Sequence, residues 1–416
     1  MNRWKEYRIK DVAKKIGSGT TPNSSNEKYY DKGIVHWINT GDFNNSDIYS
    51  GKQMITERAL NEISALRFYP VDTVLVAMYG ASIGKIGLLK VKATVNQACC
   101  AIVPDRRLCL SRYLFYVLMN NKDSFLQKSF GGTQPNISQA IVSNLALYIP
   151  SLPVQQRIAN YLDEKLAKID GQIEVLEKQQ DAYVRLKKGI IHRTVTRGLN
   201  PNVSLKNSGI EWIGLIPEHW EVKRIKEIGE LKLGKMLDEK TKDGYSLKPY
   251  LKSKNIGWLE LKLDEVEEMF FSESEMNILR LHEGDIVLSE GGEVGKSAYW
   301  TGELQECYIQ NSVQKLTLNK NYYSKYYLYL SFLLGQMGYY KSIVNLVSIM
   351  HLTYEKLRKV VVLCPPLSEQ QAIANYLDDK CAKIEYAIEN IGKQIDASKR
   401  LKRALINEVI TGQRAI

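Results

Sequence analysis

The 416-residue sequence is poor in the residues on which most site chemistry is built. Its five histidines form no HExxH pattern and have no cysteine neighbours at ligand spacing. The six cysteines, at 99, 100, 109, 307, 364 and 381, contain no pair with the two-residue gap of a zinc knuckle or a redox motif. A metal centre is therefore disfavoured, and buried, reduced thiols are expected instead. Apolar runs are short: "YYLYLSFLLGQMGYY" is too brief and too rich in tyrosine to span a bilayer, and it reads as a buried helix. The opening "MNRWKEYRIKDVAKK" is polar from its first residues, unlike a signal peptide, which points to a cytoplasmic protein.

Enzymatic signatures are missing as well. "CPPL" at Cys364 has the paired prolines of an adenine methyltransferase motif but neither its amide or carboxylate nor its aromatic ring. There is no glycine-rich loop for S-adenosylmethionine, no Asp…Glu-x-Lys nuclease cluster and no serine, cysteine or histidine triad. A non-catalytic binding protein with no cofactor in this chain is expected. Positive charge, in contrast, is plentiful: 57 Lys and Arg against 46 Asp and Glu give a formal charge of +11. Such a surplus favours a polyanionic partner, nucleic acid before membrane.

One stretch imitates a nucleotide loop. "SEGGEVGKSAYW", Ser289 to Trp300, places Gly295, Lys296 and Ser297 after an apolar run. A phosphate-cradling loop needs four residues between its glycines and a helix starting at its lysine. Here only three residues separate Gly291 from Gly295, and an aromatic, turn-like sequence follows. "YGASIGKIGLL" from Tyr79 has the same spacing, with Ile86 where a magnesium-binding hydroxyl would be needed. Both fit a glycine-permitted hairpin with one lysine at its tip. For Lys85 and Lys296 a phosphate contact and a purely structural turn both stay open.

That pair of loops belongs to a larger duplication. "LPVQQRIANYLDEKLAKIDGQIEVLEKQQDAYVRLKKGI" from Leu152 and "LSEQQAIANYLDDKCAKIEYAIENIGKQIDASKRLKRAL" from Leu367 align without a gap, with roughly half the positions identical. "WKEYRIKDV" from Trp4 parallels "WEVKRIKEI" from Trp220, and "VNQA" near Asn96 parallels "IQNS" near Asn311. Apolar or small residues recur in heptads at Leu162, Leu166, Ile169, Ile173, Leu176, Tyr183 and Ile190, and again from Leu377 to Leu405. Each segment predicts a helix of some 35–40 residues, about 55 Å long at 1.5 Å per residue. Neither helix is stable alone, so each pairs with the other copy or packs on its own domain.

The expected fold class is α+β: two β-rich mixed α/β domains in internal repeat, separated by two long helices forming an antiparallel coiled coil. The first domain is placed at residues 1–150, the central helix at 151–199 and a linker rich in Asn, Gly, Pro and Ser at 200–219. The second domain follows at 220–363 and the distal helix at 364–416.

The two helices opening "QQRIANYLDEKLAKID" and "QQAIANYLDDKCAKIE" resemble the central and distal conserved regions of type I restriction–modification specificity subunits, the HsdS family. "SGIEWIGLIPEHWEVKRI" is similar to the entry to that family's second target-recognition domain, and "GGTQPNIS" from Gly131 to the end of many first ones; "MHLT" from Met350 stands in its place in the second copy. The resemblance covers almost the whole chain. It implies a DNA-binding subunit reading a bipartite, asymmetric double-stranded target, with the helices as a ruler. It also implies docking of two methyltransferase subunits, with which restriction-translocase subunits assemble. S-adenosylmethionine, ATP and Mg are then expected in the partner subunits.

By that resemblance the DNA-binding candidates are Tyr79, Ser82, Lys85, Thr133 and Gln134 in the first domain, and Glu290, Lys296, Ser348 and His351 in the second. Amides, hydroxyls and cations of this kind suit base edges or phosphates. Asn96, Gln97, Gln310 and Asn311 read equally well as structural amides. Ser138 and Thr353 read first as helix N-caps. Basic runs at Arg185–Arg193 and Lys399–Arg403 read first as solvated helix faces. Gln155, Gln156 and Tyr161, with Gln370, Gln371 and Tyr376, are the candidates for two equivalent partner-docking sites.

Overall fold

The computed structural model describes residues 4–129, 135–211, 213–237, 243–344 and 351–416. It divides into two compact units, Met1–Glu177 with Lys393–Ile416 and Lys178–Gly392. The four longest helices among the described residues are α1 (Ser111–Asn120), α2 (Leu152–Arg197), α3 (Ser324–Gln336) and α4 (Leu367–Ile410).

The first unit's main sheet and its terminal ribbon are built from β1 (Lys5–Arg8), β2 (Ala13–Gly17), β3 (Ser46–Ile48), β4 (Val74–Ala77), β5 (Ile86–Leu89), β6 (Cys99–Pro104) and β7 (Ala146–Ile149). Five form a sheet in the order β2-β6-β4-β5-β3, antiparallel throughout except for the β5–β3 edge. β1 and β7 pair separately as an antiparallel ribbon. Successive residues of β4 face opposite sides: Val74 and Val76 join a core with α1, while Leu75 and Ala77 join a second core. Burial on both faces explains why "VLVA" is continuously apolar rather than alternating.

The second unit repeats this plan with β8 (Glu221–Arg224), β9 (Gly229–Leu233), β10 (Ile286–Ser289), β11 (Ser297–Tyr299), β12 (Val313–Leu318) and β13 (Val361–Cys364). Its main sheet has the order β9-β12-β10-β11, and β8 pairs with β13 as β1 does with β7. Ile286 and Leu288 face the core shared with α3, and Val287 faces the other side.

Each unit is completed by one half of each long helix. Ile158, Leu162, Leu166 and Ile169 of α2 share the first unit's core with Leu405, Ile406 and Val409 of α4. Lys402 reaches Asp170 at 2.6 Å, and Lys399 lies 3.8 Å from Glu177. In the second unit Gln180 Nε2 donates to Ile388 O at 3.4 Å, and Lys187 pairs with Glu385. The partners descend along one helix as they ascend the other, so the pairing is antiparallel within each unit.

The repeated helix openings are explained by how they grip the sheet-bearing part. Gln155 is fully buried; its Oε1 accepts from Leu110 N at 2.8 Å, and its Nε2 donates to Leu108 O and Pro150 O, both at 2.9 Å. Gln370 does the same for Tyr323 N and Pro365 O, both at 2.7 Å. These two residues therefore do not lie on a docking surface, which corrects that expectation: their polar atoms are used inside the chain. Asp163 accepts from Arg112 Nε at 2.6 Å and from the Tyr116 hydroxyl, and Asp378 accepts from Lys325 at 2.6 Å and the Tyr329 hydroxyl at 2.8 Å.

Part of the expected linker is folded. Leu205–Asn207 pairs antiparallel with Leu215–Pro217, and Ile213 and Ile216 enter the second unit's core beside Trp220. The helix ends close on equivalent tryptophans. Gly198 and Gly412 both adopt the left-handed region, at φ 72° and 73°. A Cβ on Gly198 would lie 3.3 Å from Trp220 Cζ2, and one on Gly412 3.1 Å from Trp4 Cζ2. All six cysteines are buried and free; burial pushes the Cys100 thiol up to about 12.

Candidate nucleic-acid interface

The glycine loops join two paired strands in both units. In the first, Val76 opposes Ile86, Ala77 N donates to Lys85 O at 3.0 Å, and Gly84 N donates to Ala77 O at 3.0 Å. In the second, Ser289 N donates to Lys296 O at 2.8 Å and Gly295 N to Ser289 O at 3.0 Å. A strand follows each lysine, Ile86–Leu89 and Ser297–Tyr299, so the helix N-terminus of a nucleotide loop is missing at both. The lysines stand at the root of the loops rather than at the tips. This corrects the expected hairpin geometry, because the closing hydrogen bonds engage the lysine's own carbonyl.

The same bonds reset the correspondence between copies. Met78 N donates to Ala98 O and Glu290 N to Ser312 O, both at 2.8 Å; Ile137 N donates to Met78 O at 2.9 Å and Leu352 N to Glu290 O at 2.8 Å. Glu290 therefore occupies the place of Met78, not that of Tyr79. The first loop, Met78–Ile83, is one residue longer than the second, Glu290–Val294.

In the first unit Tyr79 is 47% exposed and bridges to Asn136, while Gly80 N donates to Pro135 O at 2.9 Å. The neighbouring turn brings in Gln97, whose Oε1 accepts from the Thr21 hydroxyl at 2.6 Å. Ser82 sits half-buried in the short 3-10 turn Gly80–Ser82, and Lys85 is half-buried with no ion pair among the described residues. Asn96 is a turn residue, its Oδ1 accepting from Ala98 N at 3.1 Å. Ser138 caps its helix through Ile141 N at 3.2 Å. Thr133 and Gln134 lie outside the described residues.

In the second unit Lys296 is tied to Glu293 at 2.8 Å, and Trp258 Nε1 donates to the same carboxylate at 3.0 Å. Lys296 and then Trp258 hold the Glu293 carboxyl below the usual range. His351 is exposed, its ring 3.8 Å from where a Cβ on Gly291 would lie. Glu290 is half-buried; burial raises its pKa against the opposing pull of the neighbouring His351 and Gln314. Gln310 and Asn311 bond each other at 2.6 Å, and Gln310 Oε1 accepts from Ser312 N at 3.1 Å. Thr353 stands at an N-cap position, but its side chain makes no cap hydrogen bond, which corrects that reading. Ser348 lies outside the described residues.

Each unit thus gathers the glycine loop, the adjoining turn and the segment before a short helix on one surface. Thr21 and Gln314 are in these clusters and were not legible in the sequence, since no motif marks an isolated amide or hydroxyl; Asn136, within "GGTQPNIS", was not singled out. On the helices, Gln156 and Gln371 are exposed, and Tyr161 and Tyr376 are half-buried. Lys165 lies over the Tyr161 ring and Lys380 over the Tyr376 ring, both at 5.6 Å. Among the described residues no group of three or more His, Cys, Asp or Glu side chains is arranged to hold a metal, and no helix is long and apolar enough to cross a membrane.

This duplicated pairing of sheet-bearing domain and long helix coincides with a known domain. The model of the type I restriction modification DNA specificity domain matches residues 1–179 and 217–395, and the chain belongs to that family of type I specificity subunits. Among curated relatives from Methanocaldococcus jannaschii, the type I restriction enzyme MjaIX specificity subunit is 27% identical over 428 residues, covering 99% of this chain and 93% of that one. The MjaVIII specificity subunit is 26% identical over 355 residues, covering 82% and 79%. A chain from a structure of the assembly and conformational transition of a type I R-M system superposes with a TM-score of 0.75 at 16% identity, over 99% of this chain and 98% of that one. The HsdS subunit of Thermoanaerobacter tengcongensis gives 0.54 at 17% identity, with coverage of 99% and 98%. These two likenesses bear on the fold.

Proposed function

We propose that this chain reads a bipartite, asymmetric sequence in double-stranded DNA, one half-target per domain, and is itself non-catalytic. The supporting observation is that both units assemble the same loop cluster on the same frame yet fill it with different side chains, Met78 and Tyr79 in the first and Glu290 and His351 in the second. A shared frame with unlike readers suits two different half-targets. The recognition domains are 1–150 and 220–363. Tyr79, Ser82, Thr133 and Gln134 serve the first half; Glu290, Ser348 and His351 serve the second. Lys85 and Lys296 contact phosphate, with Lys85 the stronger candidate because Lys296 is engaged by Glu293.

The paired helices act as the ruler between the two recognition domains. Two methyltransferase subunits dock at equivalent surfaces centred on Gln156 with Tyr161 and Gln371 with Tyr376. Both carry the same Tyr–Lys stack, and Gln156 and Gln371 are exposed. Restriction-translocase subunits join through that complex, which works in the cytoplasm. S-adenosylmethionine, ATP and Mg belong to the partners.

The test is duplex selection from a random library by the chain co-purified with its methyltransferase. Two short conserved blocks at fixed separation are expected. Copurification without any sequence selectivity would instead support a coiled-coil adaptor that grips protein partners only.

A further inference from the structure

The root of the second unit's glycine loop carries polar groups that the fold does not use. Glu290 occupies the place of Met78, which is 3% exposed in the first unit's apolar core. Its Oε2 is enclosed and has no hydrogen-bond partner among the described residues. Gln314, opposite Leu288 in β10, stands where the first unit has Cys100 opposite Val76. Gln314 is 1% exposed; its Nε2 donates to Leu352 O at 2.6 Å, and its Oε1 also has no partner.

Enclosed acceptors without donors are rare in folded chains, because each has given up water without replacement. A methionine and a cysteine fill these two places in the first unit, so the architecture itself does not require the acceptors. The backbone beside Glu290 is Gly291 and Gly292, and a Cβ on Gly292 would meet nothing within 4 Å. The His351 ring forms the wall across from Gly291. Open backbone beside the carboxyl is therefore at Gly292, with the His351 ring bordering Gly291.

We propose that Glu290 is a specificity-determining residue of the second domain and accepts a hydrogen bond from the exocyclic amino group of a cytosine or an adenine. The inference rests on the DNA-reading function proposed above. A carboxylate accepts and does not donate, so in the major groove it pairs with cytosine N4 or adenine N6 and repels a pair that presents O6 or O4 at the same point. The first domain, with Met78 at this place, discriminates by other groups.

The test uses the chain co-purified with its methyltransferase partner and duplexes in which each base pair of the selected sequence is replaced in turn. Glu290→Met installs the residue around which the first unit already folds. It should relax discrimination about five- to a hundredfold at one position of one half-target. Discrimination in the other half-target stays unchanged and reports correct folding. At the affected position, purine in place of adenine, or a pyrimidinone in place of cytosine, removes the amino group. That change should weaken the wild-type complex but not Glu290→Met, and which analogue acts identifies the base. Full discrimination by Glu290→Met at every position, equal weakening on all duplexes, or equal sensitivity of both proteins to the analogue would each overturn the inference. A wild-type complex without any selectivity would instead remove the DNA-reading function itself.

Discussion

Glu290 puts a carboxyl where the equivalent site of the first unit is apolar, and this has a signature in pH. Burial raises its pKa above the ordinary glutamate value of 4.5, with His351 and Gln314 opposing. A group whose pKa is raised on folding contributes stability that is complete below its unfolded value and is lost as pH rises through the folded one. Glu290→Met has no such loss. The stability difference in its favour should therefore widen as pH increases from about 4.5 and level off above the raised value. Denaturant midpoints of both proteins across that range check this; a constant difference would contradict it. At this scale the sequence was least informative. Its residue types pointed to Glu290 and His351, but that Glu290 corresponds to Met78 depends on which carbonyl each amide finds, and glycine spacing suggested otherwise.

Elements were far more legible, for a physical reason. A heptad stripe has one face to bury, so "QQRIANYLDEKLAKID" declares its helix and its need for a partner. The structure extends the two helices to 46 and 44 residues. The strands were visible as short apolar runs between turns. What the repeat concealed was why its helix openings stay alike. Gln155 and Gln370 satisfy buried backbone groups, whereas Gln156 and Gln371 face outward, and identity alone does not separate them. Gln155→Ala strands Leu110 N–H and two carbonyls, and should lower stability by about 2–4 kcal/mol. Gln156→Ala should change it by less than about 0.5 kcal/mol while weakening copurification with the methyltransferase. Urea unfolding and pull-down, run on both variants, separate the two roles; equal stability losses would refute the division. The folded hairpin inside 200–219 was missed because its Asn, Gly and Pro content describes turns, and two isoleucines are too few to announce a core contribution.

For the whole molecule, the duplication was evident from sequence, and its consequence reaches past DNA reading. The joint between a helix end and the start of a sheet-bearing part is made twice, once by Gly198 on Trp220 and once by Gly412 on Trp4. Only the first of these joints is continuous along the chain, through the turn at Pro201–Asn202. The second is held by packing alone. A permutant opened at Pro201–Asn202, with Ile416 connected to Met1 by a short flexible linker, should fold with both joints intact and select the same two half-targets; loss of cooperative unfolding would show that the continuous joint is indispensable. Either joint then tolerates being made by packing instead of by continuous chain. Gene rearrangements that rotate the order of the four segments would then be silent in the folded product.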